Sequence, residues 1–267
     1  MPAFARRRAA ALVSLFLALC LLLGAAAYLL GGTPTGRPQA VPYASEAPAS
    51  GEATPPPITC IVIDAGHGGE DGGASSAAGL VEKDVNLAVA FALKELCELA
   101  GIPVIMTRTE DALLYDRNTH YEGRKKVLDL AARRILAEKA AAEAPGGGTC
   151  LFVSIHMNAY PVAKYSGMQV WYGREDPRSS EIARAVQEAA RPLMPENHRK
   201  PQAAGSNIYL LDRIQAPAIL VECGFLSNPA EAERLGETAY RRALAMTVFT
   251  ALAPFLSPAT EPPAETQ

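Results

Sequence analysis

Residues 60–73 read CIVIDAGHGGEDGG, and this stretch decides the fold. The apolar run Cys60–Asp64 is short, rich in Ile and Val, and stops at a glycine-rich turn, which predicts a buried β-strand. Glycine lets the chain turn sharply and approach a ligand closely. Because ligands of open α/β sheets bind at the carboxyl ends of strands, we expect the turn that carries His67 to lie at a binding site.

This turn does not fit a nucleotide-binding loop. After Gly66 and Gly68, the third glycine of a dinucleotide fingerprint is replaced by Asp71, and Glu70 together with Asp71 would repel a phosphate. No Gly-Lys-Ser/Thr sequence follows. Taken alone, His67 fits equally well a turn histidine that bonds within its own loop.

After the first strand, short apolar runs alternate with segments in which apolar residues recur with the period of an α-helix. This alternation predicts an α/β fold of three layers, with helices on both faces of a mostly parallel sheet. The predicted strands are Cys60–Asp64, Val104–Thr107, Cys150–Ile155, Met168–Tyr172, Asn207–Leu210 and Ala218–Glu222. The predicted helices are Asp84–Ala100, with Asp84 as N-cap, then Glu122–Ala142, Arg178–Arg191 and Glu237–Ala253.

Two further residues give His67 a second interpretation. Glu82 precedes the first predicted helix, where it would also favour the positive helix end, and His156 ends the third predicted strand. Two histidines and one carboxylate form a known catalytic zinc shell that leaves a fourth position open. The sequence therefore suggests His67, Glu82 and His156 as metal ligands, although their long spacing alone is weak support.

Glu222 adds a general base to this set. It ends the apolar strand Ala218–Glu222, and desolvated surroundings raise the pKa of a carboxyl toward neutrality, which suits proton transfer at neutral pH. The alternative is a glutamate paired with Arg or Lys. Serine catalysis lacks a Gly-x-Ser-x-Gly turn, and Cys223 is better explained as a core thiol.

The composition is that of an ordinary globular protein. The 267 residues carry 25 Lys and Arg against 28 Asp and Glu, so the net charge is -3. Binding to nucleic acid needs a basic surface, and we expect no nucleic-acid partner.

The two ends of the chain differ from the domain predicted at 58–256. Three arginines precede an uncharged run at 9–30 that is long enough to span a bilayer, so residues 1–30 are interpreted as a membrane anchor, with a cleaved signal segment as the alternative. The positive-inside rule then places the N-terminus in the cytoplasm and the domain on the extracytoplasmic face of the membrane, or outside the cell after cleavage. We expect residues 31–57 to form a Pro/Gly/Ala-rich linker and residues 257–267 to form a disordered tail.

A series of motifs, in the right order, resembles the zinc-dependent N-acetylmuramoyl-L-alanine amidases of the Amidase_3 type. The motifs are Ile63–Gly69 with Asp71, Gly73 and Ala74; Glu82-Lys83; Thr107–Asp111; Ser154–Asn158; and Ile219–Asn228. The resemblance covers essentially all of residues 58–256 and implies a twisted, mostly parallel six-stranded sheet in a single catalytic domain. It also implies that His67, Glu82 and His156 bind Zn²⁺ and that Glu222 is catalytic.

The activity implied is hydrolysis of the amide between the lactyl group of N-acetylmuramic acid and the L-alanine of the stem peptide, with peptidoglycan as substrate. The metal would polarise the carbonyl, while Glu222 takes a proton from water and passes it to the leaving amine. Arg108 and Asp111 are expected to form a structural ion pair. The sequence does not identify an accessory activator protein.

The arrangement of one anchor and one catalytic domain, together with the stretches Ser166–Gln169 and Asn207–Leu211, resembles the CwlD-like branch, which acts in maturation of the spore cortex. The alternatives are a vegetative autolysin or cell-separation amidase and, from another class, a catalytically inactive tethered wall-binding module. Only about 35 residues separate Trp171 from Ile208, so we expect no built-in helical plug over the site at 173–206.

Two features have no assigned role at this stage. The segment 114–148 is longer than in many relatives. Its basic residues, Arg124-Lys125-Lys126 and Arg133-Arg134, are expected to be solvated, with a surface for glycan or a partner as the alternative. The cysteines outside the anchor fit buried positions, and their pairing cannot be read from their spacing.

Overall fold

The computed structural model describes residues 54–115, 118 and 123–257. The predicted anchor, the linker up to residue 53, Glu122 and the tail from residue 258 lie outside the described residues. Among the residues that are described, no helix combines the length and the apolar character needed to cross a membrane.

Strands and helices alternate along most of the described chain. The strands are β1 (Ile58–Ala65), β2 (Val104–Met106), β3 (Thr149–Asn158), β4 (Gln169–Tyr172), β5 (Gln202–Ala203) and β6 (Ala218–Phe225). The helices are α1 (Glu82–Leu99), α2 (Lys125–Ala142), α3 (Arg178–Ala189), α4 (Tyr209–Arg213), α5 (Pro229–Gly236) and α6 (Thr238–Leu252).

The six strands form one sheet in the order β2-β1-β3-β6-β4-β5. The first four strands of this order run parallel, β4 runs antiparallel to β6, and β5 runs parallel to β4. The predicted α/β class and the mostly parallel six-stranded sheet are thereby confirmed. The carboxyl ends of β1, β3 and β6, which are neighbours in the sheet, consequently meet at one edge.

Helices cover both faces of the sheet, and each face has its own apolar core. Ile61 and Ile63 of β1 pack into a core formed with α1, α3 and α6, whereas Cys60 and Val62 face the core formed with α2 and α4. Side chains of a strand alternate between its two faces, so a strand buried on both sides is apolar at every position. This is why β1 gave a continuous apolar run rather than an alternating one.

The predicted strand Asn207–Leu210 is wrong. Tyr209 begins the short helix α4, and the edge strand is Gln202–Ala203 instead. The period of a short apolar run does not distinguish a strand from a helical turn. Here the helical turn allows both Leu210 and Leu211 to pack into the core that is formed with α2 and α4. Helix α5 was not predicted, although the side chain of Asn228 caps it by accepting a bond from the Glu231 backbone N–H.

Cys60 and Cys150 form a disulfide that the sequence left unassigned. They are paired in register on the adjacent strands β1 and β3, with Cα atoms 4.5 Å apart. The bond joins positions 90 residues apart in the sequence, and a cross-link of this kind stabilises a fold by about 2 to 4 kcal/mol. Cys97 and Cys223 are free and buried, which agrees with core thiols.

Candidate active site

Strand ends bring the predicted site residues to one edge of the sheet. His67 lies two residues beyond the end of β1, His156 lies near the end of β3, and Glu222 is paired in register with His156 on β6. Glu82 is the first residue of α1, so the prediction that Asp84 caps this helix is wrong. The helix begins earlier because the Glu82 backbone N–H bonds to the Ala74 carbonyl, which ties the helix start to the glycine-rich loop.

Three donor atoms converge on one point. Glu82 Oε1 lies 3.2 Å from His67 Nε2 and 3.0 Å from His156 Nδ1, and one ligand atom from each residue falls within 4.8 Å of the other two. A tetrahedral ion with metal–nitrogen bonds of about 2.0 Å separates its ligand atoms by roughly 3.3 Å. The spacing and the chemistry of this donor set therefore fit a divalent metal ion.

Two glycines make room for this cluster. A Cβ atom on Gly66 would overlap the His156 imidazole ring, and one on Gly73 would collide with the Glu82 carboxylate and lie 2.8 Å from His67 Cδ2. Gly73 also has a positive φ of 68°. The glycines of the motif thus leave space for ligand side chains rather than for a phosphate.

The cluster holds a negative charge between two imidazoles. Burial by itself would raise the pKa of Glu82, but His156 and His67 outweigh burial and hold the pKa of that carboxyl well below its usual range. Burial likewise favours neutral His67, yet Glu82 and Asp71 raise the pKa of its imidazole. Asp71 Oδ2 lies 2.9 Å from His67 Nδ1, the ring nitrogen that does not face Glu82. A carboxylate at the second ring nitrogen is common for histidine ligands of metals.

Glu222 lines the same cavity as His67 and His156. Its Oε2 atom is shielded from solvent and has no hydrogen-bond partner among the described residues. Burial raises the pKa of Glu222 to about 7, and Glu82 contributes in the same direction. A carboxyl with these properties can exchange a proton near neutral pH. Among the described residues, no Arg or Lys forms an ion pair with Glu222, so the alternative of a neutralised glutamate is not supported.

The cavity has a volume of about 230 Å³. Besides the site residues, it is lined by Lys126 and Leu130 of α2 and by Asn207–Leu210. Within the described chain, no residue of 173–206 lines it, which agrees with the expectation that this segment does not plug the site.

Arg133 contradicts the prediction of a solvated basic face on 114–148. Its side chain is 1% exposed and donates to Asp129, Asp64 and the backbone carbonyls of Ala65 and His67. Arg133 lies on the same helical stripe as Leu130 and Ala137, so the period of α2 places it on the inner face. Lys126, by contrast, is 65% exposed, as predicted.

The expected ion pair between Arg108 and Asp111 is also wrong. Arg108 donates to the carbonyls of Ala65, Gly66, Lys83 and Glu110. Asp111 Oδ2 instead accepts a bond from Lys83 Nζ at 2.6 Å. The long side chain of Arg108 thus reaches the backbone at the start of the glycine-rich loop, at Ala65 and Gly66.

Sequence reasoning missed the roles of Asp64, Asp71 and Arg133 near the candidate ligands. In the sequence, Asp71 argues against phosphate binding and belongs to the first motif, but it receives no role there, although a carboxylate four residues after His67 is a usable signal. Asp64 is fully buried and accepts bonds from Thr107, Ser154 and Arg133. A buried carboxylate at the end of an apolar strand needs hydrogen-bond partners. The partners of Asp64 come from distant segments of the chain, so the sequence around Asp64 did not reveal them.

Comparison with known proteins assigns the family. The model of the Amidase_3 family, described as N-acetylmuramoyl-L-alanine amidase, matches residues 61–254. The germination-specific N-acetylmuramoyl-L-alanine amidase of Bacillus subtilis (strain 168) is 36% identical over 203 residues, which are 76% of this chain and 82% of that protein.

Solved structures agree with this assignment. The CwlD amidase from Clostridioides difficile, solved in complex with the GerS lipoprotein, superposes with a TM-score of 0.67 and 34% identity over 74% of this chain and 98% of that one. The catalytic domain of the amidase CwlV from Bacillus (Paenibacillus) polymyxa var. colistinus gives a TM-score of 0.61 at 26% identity, over 74% of this chain and 98% of that one. The chain therefore belongs to the Amidase_3 family of N-acetylmuramoyl-L-alanine amidases.

Proposed function

We propose that this amidase is a zinc-dependent peptidoglycan hydrolase that cleaves the amide between the lactyl group of N-acetylmuramic acid and the L-alanine of the stem peptide. The observation that carries the proposal is the convergence of His67, Glu82 and His156 beside Glu222, in one cavity at the sheet edge. Two imidazoles and one carboxylate are the protein ligands of many zinc hydrolases.

In this proposal His67 Nε2, Glu82 Oε1 and His156 Nδ1 hold the ion. When bound, zinc supplies Lewis-acid polarisation of the scissile carbonyl and makes water more acidic. Glu82 is fixed for this task, because its Oε2 accepts the Ala74 N–H at 2.7 Å and its Oε1 accepts the Met157 N–H at 3.1 Å.

Glu222 moves the proton. Its unpartnered Oε2 takes a proton from the attacking water and then delivers it to the nitrogen of L-alanine as that amine leaves. The raised pKa suits both steps, because the same carboxyl must accept a proton and then release it at neutral pH.

The cavity walls suit the groups on either side of the scissile bond. Leu130, Ile208 and Leu220 contribute apolar side chains next to the candidate ligands. The lactyl group and L-alanine each carry a single methyl group beside the amide, and small apolar surfaces of this kind would seat these methyls.

Digestion of purified peptidoglycan tests the activity. We expect the full chain to release intact stem peptides with a free L-alanine amine and to leave glycan strands that lack peptides, as identified by mass spectrometry. A chelator should abolish release, and added Zn²⁺ should restore it. Products cut within the glycan or within the stem peptide, or release that is insensitive to the chelator, would contradict the proposal.

For the cellular role, we propose maturation of the spore cortex by an enzyme tethered through residues 1–30 to the extracytoplasmic face of the membrane. The support is the similarity to the germination-specific amidase and to the CwlD amidase, together with the uncharged run at 9–30. A vegetative autolysin or cell-separation enzyme is the alternative. An inactive wall-binding module is disfavoured, since degenerate enzymes tend to lose a ligand or the base.

Deletion of the gene tests this role. Muramic-δ-lactam, a modified sugar of spore cortex, closes its ring through the lactyl carbonyl that the stem peptide occupies. The peptide must therefore be removed first, and we expect spores of the deletion strain to lack this lactam. The measurement is muropeptide analysis of purified spores, with a strain complemented by the wild-type gene as control. Normal lactam content in the deletion strain would move the enzyme to vegetative wall turnover.

A further inference from the structure

Arg133 is a buried charge that the proposed chemistry does not use. It is among the largest fully buried side chains of the described chain, and it reaches the site from the middle of α2. Its Nε donates to Asp129 at 2.7 Å, and its Nη1 donates to Asp64 at 2.6 Å. Burying a guanidinium is expensive unless it is paired in this way, so its position needs a physical reason.

The remaining donors of Arg133 bond to the loop that carries His67. Nη1 donates to the Ala65 carbonyl at 2.8 Å, and Nη2 donates to the His67 carbonyl at 2.7 Å. Arg108 donates to the carbonyls of Ala65 and Gly66 at 2.8 and 3.1 Å. Three consecutive carbonyls are thus held by two guanidinium groups.

His67 itself has an unfavourable backbone conformation. Its φ is 61°, and it is the one residue other than glycine with a positive φ in the described part of the chain. Such a conformation is strained for a residue with a side chain and persists only where the surroundings enforce it. Arg133 donates to the carbonyl of His67 itself and so holds the backbone of the strained residue. In this conformation the imidazole of His67 lies beside Glu82 and His156.

We infer that Arg133 is a positioning residue, which fixes His67 in its left-handed conformation and so pre-forms the metal site from the centre of α2. This inference rests on the proposed function, because it takes His67 as a metal ligand. It also gives a role to part of the long segment 114–148: through Arg133, the packing of α2 would influence the affinity for zinc.

The test uses the full chain with Arg133→Met, which removes every donor but keeps an unbranched side chain, and Arg133→Lys, which keeps the charge but loses the planar fork of donors. Lys139→Met is the matched control, because Lys139 lies on the same helix and is 71% exposed. Two quantities are measured: the Kd for Zn²⁺, by competition with a chromophoric chelator, and the thermal unfolding of the metal-free chain by circular dichroism.

We expect Arg133→Met and Arg133→Lys to weaken zinc binding by about 10- to 100-fold, the range found when groups that orient metal ligands are removed. Lys139→Met should leave the Kd unchanged. A merely structural role would lower the unfolding temperature without changing the Kd of the folded chain, so wild-type affinity in a folded Arg133→Lys protein overturns the inference. Should Arg133→Met fail to fold, Arg133→Lys decides alone. Absence of zinc binding by the wild type would instead contradict the proposed function.

Discussion

Glu222→Gln is expected to lower the rate of stem-peptide release by about 10²- to 10⁴-fold, the range typical of a lost general base. Glutamine has nearly the same shape as glutamate but cannot take up a proton at neutral pH. Since Oε2 of Glu222 has no hydrogen-bond partner among the described residues, the substitution breaks no bond there, and the fold and the zinc content should be retained.

The measurement is the initial rate of release from purified peptidoglycan at several pH values. Glu70→Gln is the control, because Glu70 is 70% exposed and pairs with Lys125 at the surface. The wild-type rate should fall as the pH drops through the pKa of Glu222, since the protonated carboxyl cannot act as a base. That pKa is raised to about 7 by burial, and a bound cation nearby would lower it, so the acid limb should lie below pH 7. Equal rates for Glu222→Gln and wild type would remove Glu222 from the mechanism.

His156→Ala is expected to abolish stoichiometric zinc binding and, with it, the release of stem peptides. The loss of an orienting group behind a metal ligand already costs about 10- to 100-fold in affinity, so the loss of a ligand should cost more. Glu82 would also lose the imidazole that lies 3.0 Å from its Oε1 and helps to keep it ionised.

Metal analysis of the purified chain after dialysis measures this effect. His198→Ala is the matched control, because His198 is exposed and is not part of the cluster of donors. We expect one zinc per chain in the wild type and in His198→Ala, and substantially less in His156→Ala. Retention of one tightly bound zinc by His156→Ala would show that the ion is held elsewhere, and the proposed ligand set would be wrong.

Much of the site could be predicted from the sequence because the fold is a parallel sheet. His67 and His156 follow or end Val- and Ile-rich runs, and neighbouring parallel strands present their carboxyl ends at one edge. Glu222 also ends an apolar run, but only the strand order of the structure shows that its strand lies next to that of His156. The helix start at Glu82 was misplaced by two residues, because a backbone bond to Ala74 moves it, and no local signal reports that bond.

The sequence by itself determined the class of fold and most of the strands that end at the site, since these follow from local apolar runs. The four residues that converge there were indicated by the resemblance of their motifs to the family, because their spacing along the chain is too long to be a signal of its own. Only the tertiary structure decided that Arg133 is buried beneath His67, that residues after Asn207 form a helical wall, and that Cys60 pairs with Cys150. Each of these depends on which distant segments come into contact. The free energy of burying a guanidinium or an apolar turn is set by those contacts, and the local sequence does not encode them.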